Sequence, residues 1–175
     1  VVIVIDSITY GIGVVVGIGR RTGIVQRVTS AGFFLDITVA VIVIVHLASI
    51  LSVRKWRTLQ RNLRDLEALF GRLNPRQIFL IALCSGIAEE LFFRGWLLNE
   101  TGLLVSSMIF GIAHIPPNRA WLFWPFFSLL MGLVLGALCL WTNTLFYAVG
   151  VHVGVNFLNI LRLSKGDLTY QSGWR

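Results

Sequence analysis

The sequence predicts an all-α fold, a polytopic transmembrane helical bundle of about six membrane helices plus one interfacial amphipathic helix. Three observations carry that prediction. Of 175 residues, 56% are hydrophobic and only 13% charged, against about 25% charge in a soluble domain. The mean hydropathy is +0.80, more apolar sequence than a domain of this length can hide from water. Six apolar runs fall at 1–19, 31–53, 77–98, 102–115, 120–141 and 144–163, and a membrane helix needs about 20 such residues. An ordinary soluble protein and a disordered chain are both excluded.

The first two runs form a unit at 1–53. Val1–Gly19 lacks the positive n-region of a signal peptide and has the length of a span. The chain begins at Val1 rather than Met, which leaves open whether further helices precede it. Residues 54–76 are the one substantial polar stretch. Within it Trp56, Leu59, Leu63, Leu66, Phe70 and Leu73 recur at helical spacing, with Arg57, Arg61, Arg64 and Glu67 mostly on the opposite face. A basic amphipathic helix of this kind is expected on an anionic lipid surface, although a positive-inside loop has similar composition. Asn74-Pro75 reads as the cap and first turn of the next helix. Residues 77–163 hold four runs, and 164–175 form a polar tail.

The net charge of +7 does not point to nucleic acid, because basic residues in a membrane protein mainly set topology. If six spans alternate, one side holds 11 Lys and Arg and the other only Arg20, Arg21 and Arg27. Both termini are therefore expected in the cytoplasm. Cys84 and Cys139 have no CxxC spacing and read as small packing residues. Gly13-x-x-x-Gly17, Gly132-x-x-x-Gly136 and Gly150-x-x-x-Gly154 read as close-packing helix faces.

The informative residues are polar ones inside apolar runs. An Asp, Lys or Arg at the centre of a membrane helix costs about 2.5–3.5 kcal/mol on insertion scales, yet the third run contains Glu89, Glu90 and Arg94. Glu90 and Arg94 stand at i and i+4, where they can pair along one face. Glu89 points about 100° away and has no partner in its own helix. The fourth run is short and ends at His114 before Pro116-Pro117, and the sixth carries His152 and Asn156 one turn apart. Taken singly, each has a structural explanation: an interhelical hydrogen bond, polar glue or a buried ion pair. Asp6, Asp36 and His46 read that way.

Taken together, they suit peptide hydrolysis. Glu and His can activate water, and His with Asn can donate to an oxyanion. GxSxG and HExxH are absent. No metal is expected, although a Glu/His/His set could bind a divalent metal such as zinc by ligand type alone. Buried Glu, His and Arg would also serve an ion- or proton-coupled transporter, but no repeat relates the two halves.

Glu89-Glu90-x-x-x-Arg94, Phe110-x-x-x-His114 and His152-x-x-x-Asn156 together resemble the three-motif signature of the CPBP intramembrane endopeptidases. These are the CAAX-prenyl-protease and bacteriocin-processing proteins, also called Abi proteins. The resemblance covers roughly 77–163 and implies a glutamate-dependent protease in the membrane. It implies that Glu89 and His114 activate water, that His152 and Asn156 stabilise the oxyanion, and that Glu90 and Arg94 organise the site. It also implies a membrane-anchored protein or peptide substrate, prenylated or a peptide precursor. The expected location is a bacterial plasma membrane. The family includes noncatalytic immunity and scaffold proteins, so membership alone does not fix activity or substrate.

Overall fold

The computed structural model describes residues 31–55, 73–115 and 123–165, with side chains from residue 35 in the first segment and from 124 in the last. Every described element is a helix. The first run, 1–19, the amphipathic stretch over 56–72, Pro116-Pro117 and the tail beyond 165 lie outside the described residues.

Helix α1 spans Ala31–Lys55. At 1.5 Å per residue its 25 residues extend about 37 Å, enough for a hydrocarbon core of about 30 Å. Leu35, Val39, Ile44, Leu47 and Leu51 are exposed along it, as suits a lipid-facing helix. Helix α2, Pro75–Glu90, starts at the cap read from the sequence. The Asn74 side chain accepts the Gln77 N–H at 3.0 Å, and the Gln77 side chain accepts the Asn74 N–H at 2.9 Å, with Pro75 in the first turn. This capping box satisfies two amides that a helix start otherwise strands.

Helix α2 does not stop at Glu90. It runs directly into a π-helical segment, Leu91–Leu97, and then into α3, Leu98–Ala113. Helix α3 is broken at Gly102, whose φ of 79° lies in the region that only glycine enters without strain. The Asn99 and Thr101 side chains donate to the carbonyls of Gly95 and Leu97 at 2.9 and 2.8 Å, satisfying backbone groups just before the break. Helices α4, Phe123–Thr142, and α5, Phe146–Lys165, are joined by a tight turn at Asn143, the one described non-glycine residue with positive φ.

Among the described residues three helices are long and apolar enough to cross a membrane: Leu35–Lys55, Trp124–Thr142 and Phe146–Lys165. They fall on the expected runs 31–53, 120–141 and 144–163. The expected count of six spans is not reached. The 77–98 run is helical, but Glu89, Glu90 and Arg94 interrupt its apolar character. The 102–115 run is a short helix after the Gly102 break, and 1–19 is not described.

Helix α5 is the centre of the bundle: α1, α2 and α4 all pack on it, while α3 packs on α4. Leu135 and Leu138 of α4 meet Ala148, Val151 and Val155 of α5, and Ile37, Val41, Ile42 and Val45 of α1 close over them. Two of the small-residue faces are contact surfaces, as expected. A Cβ on Gly132 would stand 3.1 Å from Ser107 of α3, and one on Gly154 would collide with Ile42 of α1.

The closest approach that matters for the site is at Gly86, where α2 meets α5. A Cβ there would lie 2.7 Å from Val153 Cγ2 and 3.3 Å from the Val153 backbone nitrogen. Valine is stiff at χ1, so the methyl cannot simply swing away. Gly86→Ala is therefore expected to lower stability by about 1–3 kcal/mol, despite alanine's better helix propensity. Adding Val153→Ala should restore part of the loss. Thermal unfolding in detergent measures both, and a Gly86→Ala protein as stable as the parent would refute the close packing.

Candidate active site

Three segments supply the polar residues: the junction of α2 with the π-helical segment, the C-terminal end of α3, and the middle of α5. The junction matters most. Adjacent residues on a helix point about 100° apart, so Glu89 and Glu90 face different surroundings. Glu90 is fully buried, while the Glu89 side chain keeps 29% of its surface open.

Glu90 is the acceptor at the centre of a buried network that converges on its Oε1, while its Oε2 makes no hydrogen bond. Arg94 Nη1 donates to its Oε1 at 2.8 Å, the i,i+4 pair read from the sequence. His152 Nδ1 donates to the same oxygen at 2.6 Å, which crosses from α2 to α5. Arg94 Nη2 also donates to the Gly132 carbonyl at 3.3 Å. The guanidinium stands over two rings, 4.3 Å from the Phe110 centroid and 5.7 Å from that of Phe93. Phe93, Arg94 and Gly95 are consecutive and all buried, so the π-helical segment is enclosed on more than one side. π-Turns are rare and concentrate at functional sites.

Glu89 has neighbours of another kind. His114 Nε2 lies 3.5 Å and His152 Nε2 3.9 Å from Glu89 Oε2, and that oxygen makes no hydrogen bond within the protein. Lacking a cation in its own helix, Glu89 instead faces two imidazoles from α3 and α5. Both rings are oriented from behind. His114 Nδ1 donates to the Phe110 carbonyl at 2.7 Å, and His152 Nδ1 to Glu90. With Nδ1–H committed in each, Nε2 is the atom turned towards Glu89.

Asn156 stands one turn beyond His152. Its amide donates to Ser85 Oγ at 3.2 Å, and Ser85 donates onward to the Ala82 carbonyl at 3.3 Å. Ser85 is one turn before Glu89, so α2 and α5 meet in two rungs, Ser85 with Asn156 and the glutamates with His152. Gly86 lies between the rungs.

All six residues expected from the sequence, Glu89, Glu90, Arg94, His114, His152 and Asn156, are thus brought to one region. Four further residues contribute: Ser85 and Gly86, which were not singled out from the sequence, Phe110, read only as part of the His114 motif, and Gly132, read only as a packing face. The i,i+4 spacing of Ser85 and Glu89 was the one signal that pointed to Ser85. His46, read as a lone histidine, has Asn159 and Arg162 of α5 as neighbours. Among the described residues, no group of three or more His, Cys, Asp or Glu is arranged to hold a metal ion.

The network makes a prediction about stability. Breaking a buried pair by removing one partner costs about 3–5 kcal/mol, because the other charge is stranded. Glu90→Gln should therefore lower the unfolding temperature sharply, and Glu90→Gln with Arg94→Met should recover much of it. Equal unfolding temperatures for the single variant and the parent would show that the pair carries no such load.

No curated protein and no solved structure matches the chain. The six polar residues all fall within 72–158, the stretch that matches the family model for type II CAAX prenyl endopeptidase, Rce1-like. With its apolar helices the chain is an integral membrane protein, and over 72–158 it is similar to the CAAX-type family of intramembrane proteases.

Proposed function

We propose that the protein is a glutamate-dependent endopeptidase that hydrolyses a peptide bond of a membrane-anchored protein or peptide, prenylated or a precursor peptide, with water as the nucleophile. One observation carries the reading: Glu89 Oε2, buried and without a hydrogen bond in the protein, faces the Nε2 atoms of His114 and His152 at 3.5 and 3.9 Å. A carboxylate aimed at two imidazoles is a place where a proton can be taken up and handed on.

In this mechanism Glu89, assisted by His114, takes a proton from water as the oxygen attacks the scissile carbonyl. The tetrahedral oxyanion is stabilised by His152 and Asn156. Collapse breaks the C–N bond, and the proton held at Glu89 passes to the leaving nitrogen. His152 can donate to an oxyanion only when Nε2 carries a proton, since Nδ1–H is committed to Glu90. Glu90 and Arg94 organise the site and touch no reacting atom.

The Glu89 side chain forms no ion pair inside its own helix and is partly open, so Glu89→Gln keeps the shape and removes the base. Cleavage of a lipidated, membrane-anchored peptide, followed by mass spectrometry, is expected to fall by at least about 1,000-fold. The unfolding temperature should stay within about 2 °C of the parent, a shift of no more than about 1 kcal/mol. A Glu89→Gln protein that still cleaves would remove glutamate dependence, and a parent that binds such peptides without cleaving them would favour a noncatalytic scaffold.

The reading routes no step through a metal. Asn156 is a poor zinc ligand, and the acid–base work is assigned to Glu89 and the two histidines. Turnover should survive exhaustive chelation unchanged. Stoichiometric zinc whose removal reversibly abolishes turnover would replace this mechanism with a metallopeptidase one.

A further inference from the structure

The Phe110 ring touches more of the site than any single polar residue does. Phe110 is almost fully buried and lies one turn before His114 on α3. Its centroid is 4.3 Å from the Arg94 guanidinium carbon and 4.5 Å from the His114 ring. Phe93 meets it edge-on at 4.8 Å and His152 edge-on at 6.1 Å. One side chain therefore borders the π-helical segment, α3 and α5 at once.

We propose that Phe110 is a positioning residue for hydrolysis, its aromatic face fixing the Arg94 guanidinium and the His114 imidazole against each other. The inference rests on the hydrolytic reading above. A guanidinium over a ring face is held by the ring's quadrupole, and the attraction is strongest where water is excluded. Arg94 in turn holds Glu90, and Glu90 Oε1 holds His152 Nδ1. The Phe110 backbone carbonyl separately fixes His114 Nδ1. The ring thus acts on His152 through Arg94 and Glu90, and on His114 directly. An aliphatic side chain at 110 would fill the volume and leave the carbonyl in place, but it would offer neither cation nor imidazole a π-face.

The test separates shape from aromatic character. Phe110→Leu in the full chain, in detergent, should lower kcat by about 30-fold, the weight of a desolvated cation–π contact, with KM changed less than about threefold. Phe110→Tyr, which keeps the face, should recover most of kcat. Combined with Arg94→Met, Phe110→Leu should add little further loss in kcat or in unfolding temperature, because the two changes remove the same contact.

Equal kcat in Phe110→Leu and the parent would overturn the proposal. So would additive losses in the Arg94→Met background, which mark space filling alone. If Phe110→Leu does not fold, Phe110→Met takes its place in the same cycle. If the parent cleaves no lipidated peptide, the hydrolytic reading fails, yet the unfolding-temperature cycle still decides whether the ring and Arg94 act as one unit.

Discussion

Glu90 is a carboxylate with no access to solvent in the middle of a helix bundle. Such a group is tolerable only when its charge is met, and here Arg94 and His152 converge on one of its oxygens. Much else follows from that requirement. Arg94 must be drawn inward, which the π-helical segment from Leu91 accomplishes by enclosing it. The Gly132 carbonyl must come close enough to accept the second guanidinium nitrogen. Helix α5 must approach α2 until an imidazole spans the gap, and Gly86 permits that approach against Val153. The tight helix contacts and the buried charge are two sides of one constraint.

The same constraint orients the chemistry. The two nitrogens of an imidazole are distinct, and the partner of one decides where the other points. Glu90 takes Nδ1 of His152 and the Phe110 carbonyl takes Nδ1 of His114, so both Nε2 atoms converge near Glu89. Neither orientation depends on substrate. Catalysis by preformed groups avoids reorganisation during the reaction, and a site set between packed helices is held more rigidly than one carried on loops.

What could be read in advance was whatever depends on spacing within one helix. The Glu90–Arg94 pair, the Asn74 cap, the Gly132 and Gly154 contact faces and the three polar motifs all repeat at three or four residues, and each is found in the structure. What could not be read depends on how one helix is rotated against another. The bond from His152 to Glu90, that from Asn156 to Ser85, and the stacking of Arg94 on Phe110 are cross-helix contacts between residues 16 to 71 positions apart. No local period encodes them. The π-helical segment was illegible for a different reason: Leu91–Leu97 contains no proline to announce a departure from the α-helix. Among the described residues the six spans are not all found, and the 77–98 run shows one reason: it carries three charges, Glu89, Glu90 and Arg94.

Adjacent glutamates at first look redundant in a setting where every charge is costly. The helix resolves this by turning about 100° between them. Glu90 is carried into the core, where Arg94 and His152 hold one of its oxygens and its loss strands Arg94. Glu89 is carried to the partly open side, where its oxygen meets only imidazole edges and remains available to accept a proton. One residue secures the geometry that the other exploits, and exchanging their environments would need a rotation of α2 that the Gly86–Val153 contact and the Ser85–Asn156 bond oppose. The division between structural and reactive carboxylate is therefore a property of helix phase, fixed by packing at positions that never approach the scissile bond.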